Sequence, residues 1–160
     1  QSVRLGGDEL NDDIINYFRR NHNLLIGERT AENIKCEIGS AAPLDEELEM
    51  ITKGRDLVNG VPRTRHITSR DAREAIAESV NTIVEAITKS LEQTPPELSA
   101  DILDRGIMLT GGGALLKNLD KLIMETTDLP VHIAEDPLTA VVRGTGAILE
   151  NLDYYRPVIS

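Results

Sequence analysis

Aromatic residues are nearly missing from this sequence: there is no Trp, a single Phe (Phe18) and three Tyr, 2% of 160 residues. Single-stranded nucleic acid is held on exposed aromatic platforms, so that class of function loses its main support. Positive charge is scarce too. Seventeen Lys and Arg stand against 27 Asp and Glu, a net charge of -10, whereas a nucleic-acid surface needs clustered cations to displace counterions. The same imbalance opposes a general attraction to anionic lipid and reads as a solvated acidic surface. With one cysteine, Cys36, no internal disulfide can form. It falls in a helical pattern and reads as a small buried thiol rather than a nucleophile. A reducing compartment follows, cytoplasm fitting best. No apolar run approaches the roughly 20 residues that span a bilayer, and no basic-then-apolar leader opens the chain. His22, His66 and His132 show no paired ligand spacing, so no metal site is expected.

What is present is ordinary for a globular protein: 40% hydrophobic and 28% charged residues, enough for one domain or two small lobes around a core. The first residue is Gln1 rather than Met, and the chain opens into the strand-like Ser2–Leu5. It therefore reads as a piece of a longer protein. Gly6-Gly7 ends that strand, and Asp8 is the expected N-cap of an amphipathic helix built on Leu10, Ile14, Ile15 and Phe18, running to about Arg20. Asn21-His22-Asn23 reads as the turn that ends it. Thr30 is the expected cap of a short helix through Ile34 to Ile38, with Gly39 as its stop. From Glu47 to Lys53 the pattern alternates, with Leu48, Met50 and Thr52 on one side. That predicts a half-exposed strand, followed by turn signals at Gly54 and Asn59-Gly60 and a partner strand over Val61 to Ile67.

Thr68 or Ser69 can cap the longest helix, whose stripe is Ile76, Val80, Ile83, Val84, Ile87 and Leu91. Pro95-Pro96 stops it, and a short helix follows over Pro96 to Leu103. The last third changes character. Gly106 to Thr110 is a short continuous apolar run, the mark of a strand buried on both faces. Gly111-Gly112-Gly113 follows, then a helix with Leu115, Leu116, Leu119, Leu122 and Ile123. A strand over Val131 to Ala134, a turn and helix cap at Glu135-Asp136-Pro137, and a helix from Leu138 to about Leu149 complete the chain. Strand, glycine turn, helix, strand, helix is an α/β order with parallel pairing. Within the last helix, Gly144 and Gly146 would permit close packing.

The sharpest local feature is Ile107-Met108-Leu109-Thr110-Gly111-Gly112-Gly113-Ala114-Leu115-Leu116. Glycines at the end of a buried strand let the backbone take positive φ and approach a ligand with no Cβ in the way. A helix beginning there would add unpaired N–H groups and positive potential. The motif is not a P-loop and lacks the dinucleotide glycine order. By spacing alone it is equally a ligand loop or a tight turn.

The same residues resemble the adenosine-binding motif of the actin, Hsp70 and sugar-kinase superfamily. Six further blocks narrow the resemblance to the MreB family of bacterial actins: Gly6-Gly7-Asp8, Asn23 to Glu32, Gly54-Arg55-Asp56-Leu57, Gly60-Val61-Pro62-Arg63, Thr94 to Leu98 and Ala134 to Thr139. They occur in family order and cover nearly the whole chain. The resemblance implies the second half of an actin-like ATPase (ribonuclease H-like) α/β fold. Residues 7–77 would form a small outer lobe, and residues 1–6 and 78–160 an incomplete large lobe.

For the nucleotide, the resemblance implies two walls. One is a helix presenting Glu32 and Lys35, with Asn33 and Ile34 between them, to ribose and adenine. The other is Gly111, Gly112, Gly113, Ala114 and Leu115. By spacing alone Glu32 and Lys35 are an ordinary surface i,i+3 pair. The family's two phosphate loops, with their Asp-x-Gly patterns and metal-linked aspartates, do not occur in this chain. The ligand implied is ATP, with Mg2+ held mainly by those loops. The family is a weak ATPase, and this chain alone is expected to be inactive. The implied role is ATP-dependent polymerisation into protofilaments that direct cell-wall synthesis and rod shape. Its partners would be further copies of itself, the cell-wall elongation machinery and membrane-anchored adaptors. No nucleic acid is expected, and contact with the membrane would come only through the other half of a cytoplasmic, membrane-associated protein. The rival readings are a sugar-kinase-like or Hsp70-like ATPase and an interaction module without nucleotide binding. The first would need a sugar-binding polar cluster, and none is visible.

Overall fold

Leu10, Ile14 and Phe18 recur every four residues and so share one face of a helix. In the computed structural model, which describes residues 2–151 together with Tyr154 and Arg156, that helix is α1, Gly7–His22. It begins earlier than Asp8 suggests. Gly6 is the N-cap, and Glu9 Oε2 reaches back to accept from the Gly6 N–H at 2.8 Å, leaving Asp8 in the first turn, where an acid suits the macrodipole. Asn23 ends the helix at φ 48°, a left-handed conformation that Asn tolerates. Ser2 to Leu5 joins no strand ladder, but Leu5 packs on the core.

A two-residue strand, β1 (Leu24–Leu25), leads into α2 (Glu28–Ile38). Gly27, not Thr30, caps α2, its carbonyl accepting from the amides of Thr30 and Ala31 at 3.0 Å. Ala31, Ile34 and Ile38 point into the core. Cys36 lies two residues beyond Ile34, on the opposite face, and its thiol is exposed rather than buried.

The alternating segment is strand β2, Glu49–Asp56, pairing antiparallel with β3, Pro62–Thr68, in the register Met50 to Ile67 and Thr52 to Arg65. Leu48 precedes the strand and is exposed. Gly54 is no turn; it lies inside β2, where a Cβ would stand 2.6 Å from the Leu25 carbonyl oxygen. The chains approach this closely because β1 pairs with the far end of β2, completing a three-stranded sheet in the order β1-β2-β3.

Thr68 caps α3 (Ser69–Glu92) reciprocally with Asp71, the capping-box arrangement. At ~1.5 Å per residue, this helix is the longest element of the chain, and it contacts α1, α2, β3 and α5. Helix α4 (Pro96–Arg105) starts on its proline, and β4 (Ile107–Leu109) pairs in parallel with β5 (Val131–Ile133). Helix α5 (Leu119–Thr127) packs on β5, and α6 (Ala140–Glu150) follows.

Three expectations in this region fail. Strand β4 is not buried on both faces, since Met108 is 61% exposed: among the described residues, β4 belongs to a two-stranded sheet and has a single neighbour. The glycines do not open a long helix. They enter a four-residue 3-10 turn, Gly112–Leu115, and α5 begins only after Asn118. Gly144 and Gly146 of α6 have nothing within 4 Å of an added Cβ, so they serve no close packing here.

One apolar cluster joins the elements. Phe18, Ile14, Leu24, Ile34, Ile67 and Ile76 are almost fully enclosed, and the cluster continues through Val80 and Val84 to Leu116, Leu119, Ile123 and Val131. Each enclosed aliphatic or aromatic side chain contributes about 1.5–3 kcal/mol of transfer free energy.

Candidate functional site

Helix α2 turns its inner stripe to the core, which leaves Glu32, Asn33 and Cys36 on the outer face. The Glu32 side chain is 48% exposed, and each of its oxygens has a partner while keeping acceptor capacity. Oε2 accepts from Lys35 Nζ at 2.7 Å and from Asn11 Nδ2 at 2.7 Å, and Oε1 faces the Cys36 thiol at 3.4 Å. The Lys35 and Asn11 hydrogen bonds hold the carboxyl well below the usual range, at about 2. Donors that bind the ionised form have this effect. Partial burial and the Glu32 carboxylate push the Cys36 thiol up, which makes it a poorer nucleophile.

Lys35 is more enclosed than the sequence suggests, with only 13% of its side chain exposed. Its ammonium folds back onto α1 and donates to the Gly7 carbonyl at 2.9 Å. Ile34 belongs to the core at 0% exposure and presents nothing to a ligand. Asn33 is exposed.

On the second segment, Gly111 takes φ +81°, which favours glycine strongly. Its amide donates to the Pro137 carbonyl at 2.7 Å. Gly112 and Gly113 are different. Neither has a positive φ; a Cβ on Gly112 would meet only Leu138 Cδ2 at 3.6 Å, and one on Gly113 would meet nothing within 4 Å. Both are exposed, so the fold of this chain does not require glycine there. Ala114 is 4% exposed and anchors the turn inward, whereas Leu115 is 55% exposed.

Two side chains that sequence reasoning missed tie these segments down. Asn11, 3% exposed, bridges α1 to Glu32. Its signal was present: a polar residue inside the apolar stripe of α1, one turn before Ile14. Lys117 follows the 3-10 turn and reaches α2, donating to the carbonyls of Cys36 and Glu37, both at 2.9 Å. No local pattern announces a contact across 80 residues of chain. The structure thus joins the end of the Gly111–Leu115 segment to the C-terminus of the helix that carries Glu32 and Lys35. Among the described residues, no group of three or more His, Cys, Asp or Glu is placed to hold a metal ion.

Residues 1–157 match the family described as MreB/Mbl protein. The chain is 56% identical over 154 residues to the cell shape-determining protein MreB of Escherichia coli K12, covering 96% of this chain and 44% of that protein. It is 49% identical over 152 residues to the cell shape-determining protein Mbl of Bacillus subtilis, covering 95% and 46%. It thus spans about half the length of the curated relatives it matches. Among solved structures, MreB5 of Spiroplasma citri bound to ADP superposes with a TM-score of 0.90 at 38% identity, over 95% of this chain and 46% of that one. A MamK double helical filament shares the fold, with a TM-score of 0.70 at 20% identity over 85% and 42%. The α/β architecture is that of an actin-like fold fragment, and the chain belongs to the MreB/Mbl family.

Proposed function

We propose that this chain supplies one side of an adenine-nucleotide site in a filament-forming, cell shape-determining bacterial actin. The observation that carries the reading is the pair Gly112 and Gly113. They are exposed, free of positive φ and free of steric neighbours that would exclude a side chain. A close ligand supplies the reason for glycine that the fold does not, because backbone without Cβ lets a flat base or sugar approach. Support also comes from the relative crystallised with ADP. Glu32, fixed by Asn11 and Lys35, has carboxylate oxygens able to accept from ribose hydroxyls.

The residues present fit the nucleoside end of ATP. They do not fit Mg2+, since no suitable acidic cluster stands among the described residues; when bound, the metal would neutralise phosphate charge. In this reading the enzyme activity is a weak ATPase of the whole polypeptide, with phosphate and metal handled by residues outside this chain.

Self-association into protofilaments is the assembly proposed, supported by the fold shared with a filament of MamK. The edge of β3, unpaired among the described residues, and the exposed Ile51, Leu57, Val58 and Val61 near it offer apolar surface for a neighbour. The wider role is organisation of cell-wall synthesis with its elongation machinery and membrane-anchored adaptors, in the cytoplasm beneath the membrane.

The test is an NMR titration of the chain with ATP, following the amides of Gly111 to Gly113, Glu32 and Lys35, in parent and Gly113→Val chains. Joint shifts in the parent that vanish in a folded Gly113→Val chain support the site. A parent spectrum in which none of these amides moves, repeated without change in the full-length polypeptide, ends the nucleotide reading.

A further inference from the structure

Helix α2 ends in an unusual manner. The amide of Gly39 donates to the carbonyls of Ile34 and Lys35. The next two carbonyls, of Cys36 and Glu37, are capped by an ammonium from a distant part of the chain, that of Lys117. A helix leaves its last carbonyls unpaired and partly negative, so a cation there satisfies both hydrogen bonding and the macrodipole.

Lys117 holds this helix end by its backbone as well. Its carbonyl accepts from the Ala41 amide at 2.8 Å, and it forms a parallel bridge with Ser40. The neighbouring Asn118, held at φ 59°, donates Nδ2 to the Pro43 carbonyl at 2.7 Å. Between these contacts Gly39 has no spare room, since a Cβ would stand 2.3 Å from the Lys35 carbonyl oxygen. On the other side, Ala114 and Leu116 are buried and fix the 3-10 turn. The grip therefore has two fixed ends, with Glu32 one turn before Cys36 and Lys35 directly before it, and with Gly112 and Gly113 a few residues before Lys117.

We infer that Lys117 is a positioning residue that sets the spacing between the two walls of the nucleotide site, so that both engage one ligand together. The inference rests on the nucleotide reading above. Lys117 need not touch the ligand; it acts through the α2 carbonyls. Its three rotatable donors suit two adjacent carbonyls, and a methionine would keep the stem while removing both bonds and the charge.

The test uses ADP as probe and the chain as it stands, with parent, Lys117→Met, Lys117→Arg and Asn118→Gly compared by amide shifts and thermal melting. In the parent, the Gly112–Gly113 amides and the Glu32–Lys35 amides are expected to titrate together with one affinity. In Lys117→Met the two groups should separate, the α2 amides losing most of their shift and the affinity falling about tenfold. Lys117→Arg, which restores charge and donors, should bring the joint titration back. Asn118→Gly relieves the left-handed backbone and removes only the Pro43 bond. It should show a smaller loss of the same kind, and it carries the test should Lys117→Met not fold. A folded Lys117→Met or Asn118→Gly chain with a lower melting temperature but an unchanged joint titration makes the contacts structural only and overturns the inference. Absence of shifts on both walls of the parent, repeated in the full-length polypeptide, overturns the nucleotide reading itself, and the inference with it.

Discussion

Asn11 of α1 and Glu32 of α2 are joined by a 2.7 Å hydrogen bond from Nδ2 to Oε2, although they lie 21 residues apart. Asn11 is 3% exposed, and its Oδ1 has no partner among the described residues. A buried amide held by one bond from one end is placed by what it orients, here a carboxylate that also takes Lys35.

The first prediction concerns that carboxylate. A carbon-detected titration should find Glu32 at about 2, and Lys35→Met should raise it because the largest lowering contact is lost. The folded value lies below the ordinary 4.5. The stabilisation is therefore complete above about 4.5 and is lost as pH falls toward 2. Glu32 is half exposed, so solvent screening keeps the gain small. A Glu32 midpoint unmoved by Lys35→Met would show that the pair does not persist in solution.

Ile34 separates core from site. Fully enclosed under α2, it should cost about 2–5 kcal/mol on truncation to Ala and about 0.5–1.5 to Val, read from urea unfolding. The Ile34→Val chain should still show the nucleotide-dependent shifts of its neighbours Glu32 and Lys35. Loss of those shifts with little loss of stability would place Ile34 at the ligand after all.

The glycines should divide into two classes. At Gly106 φ is +72° and a Cβ would stand 2.2 Å from the Pro130 carbonyl oxygen, where β4 meets β5. Gly106→Ala should lose at least about 1–3 kcal/mol of stability, from backbone strain before any clash. Gly113→Ala, with nothing within 4 Å and no positive φ, should unfold within about 0.5 kcal/mol of the parent. Comparable losses at both positions would mean that Gly113 serves the fold.

His22 gives a pH dependence of the same sign at higher pH. It packs against Tyr17 and Phe18, and its Nε2 lies 3.7 Å from Asp71 Oδ1 without a hydrogen bond. Burial, then Arg65, lowers its pKa below 6.5, while Asp71 and Glu74 oppose the shift. The unfolded chain therefore binds this proton more readily, and stability should fall as pH drops through 6.5. His22→Gln should flatten the fall in urea midpoint between pH 7.5 and 5.5. An unchanged slope would assign the loss to other groups.

Much of the fold was legible because its elements carry their own signals. The stripes of α1 and α3, the proline stop before α4, the alternation of β2 and the positive-φ turn at Gly60 are local. Where reading failed, the deciding partner was remote. Gly54 resembled a turn until β1, a strand too short to show any periodicity, crossed beside it. Met108 looked buried because β4 is apolar throughout, yet burial depends on which strands are its neighbours. At the site, Glu32 and Lys35 were legible as a pair, whereas the bond of Lys35 to Gly7 was not.

The sequence by itself determined the helices, the antiparallel hairpin, the parallel order of the last third and, through blocks that cover nearly the whole chain, the family. Those properties follow from spacing along the chain, which fixes which side chains share a face. Only the tertiary structure decided that Ile34 and Ala114 face inward, that Cys36 faces out, and that Lys117 grips the end of α2. Hydrogen bonds and burial act through space at contact distance, and a contact between residues 36 and 117 leaves no periodic trace in the chain that joins them.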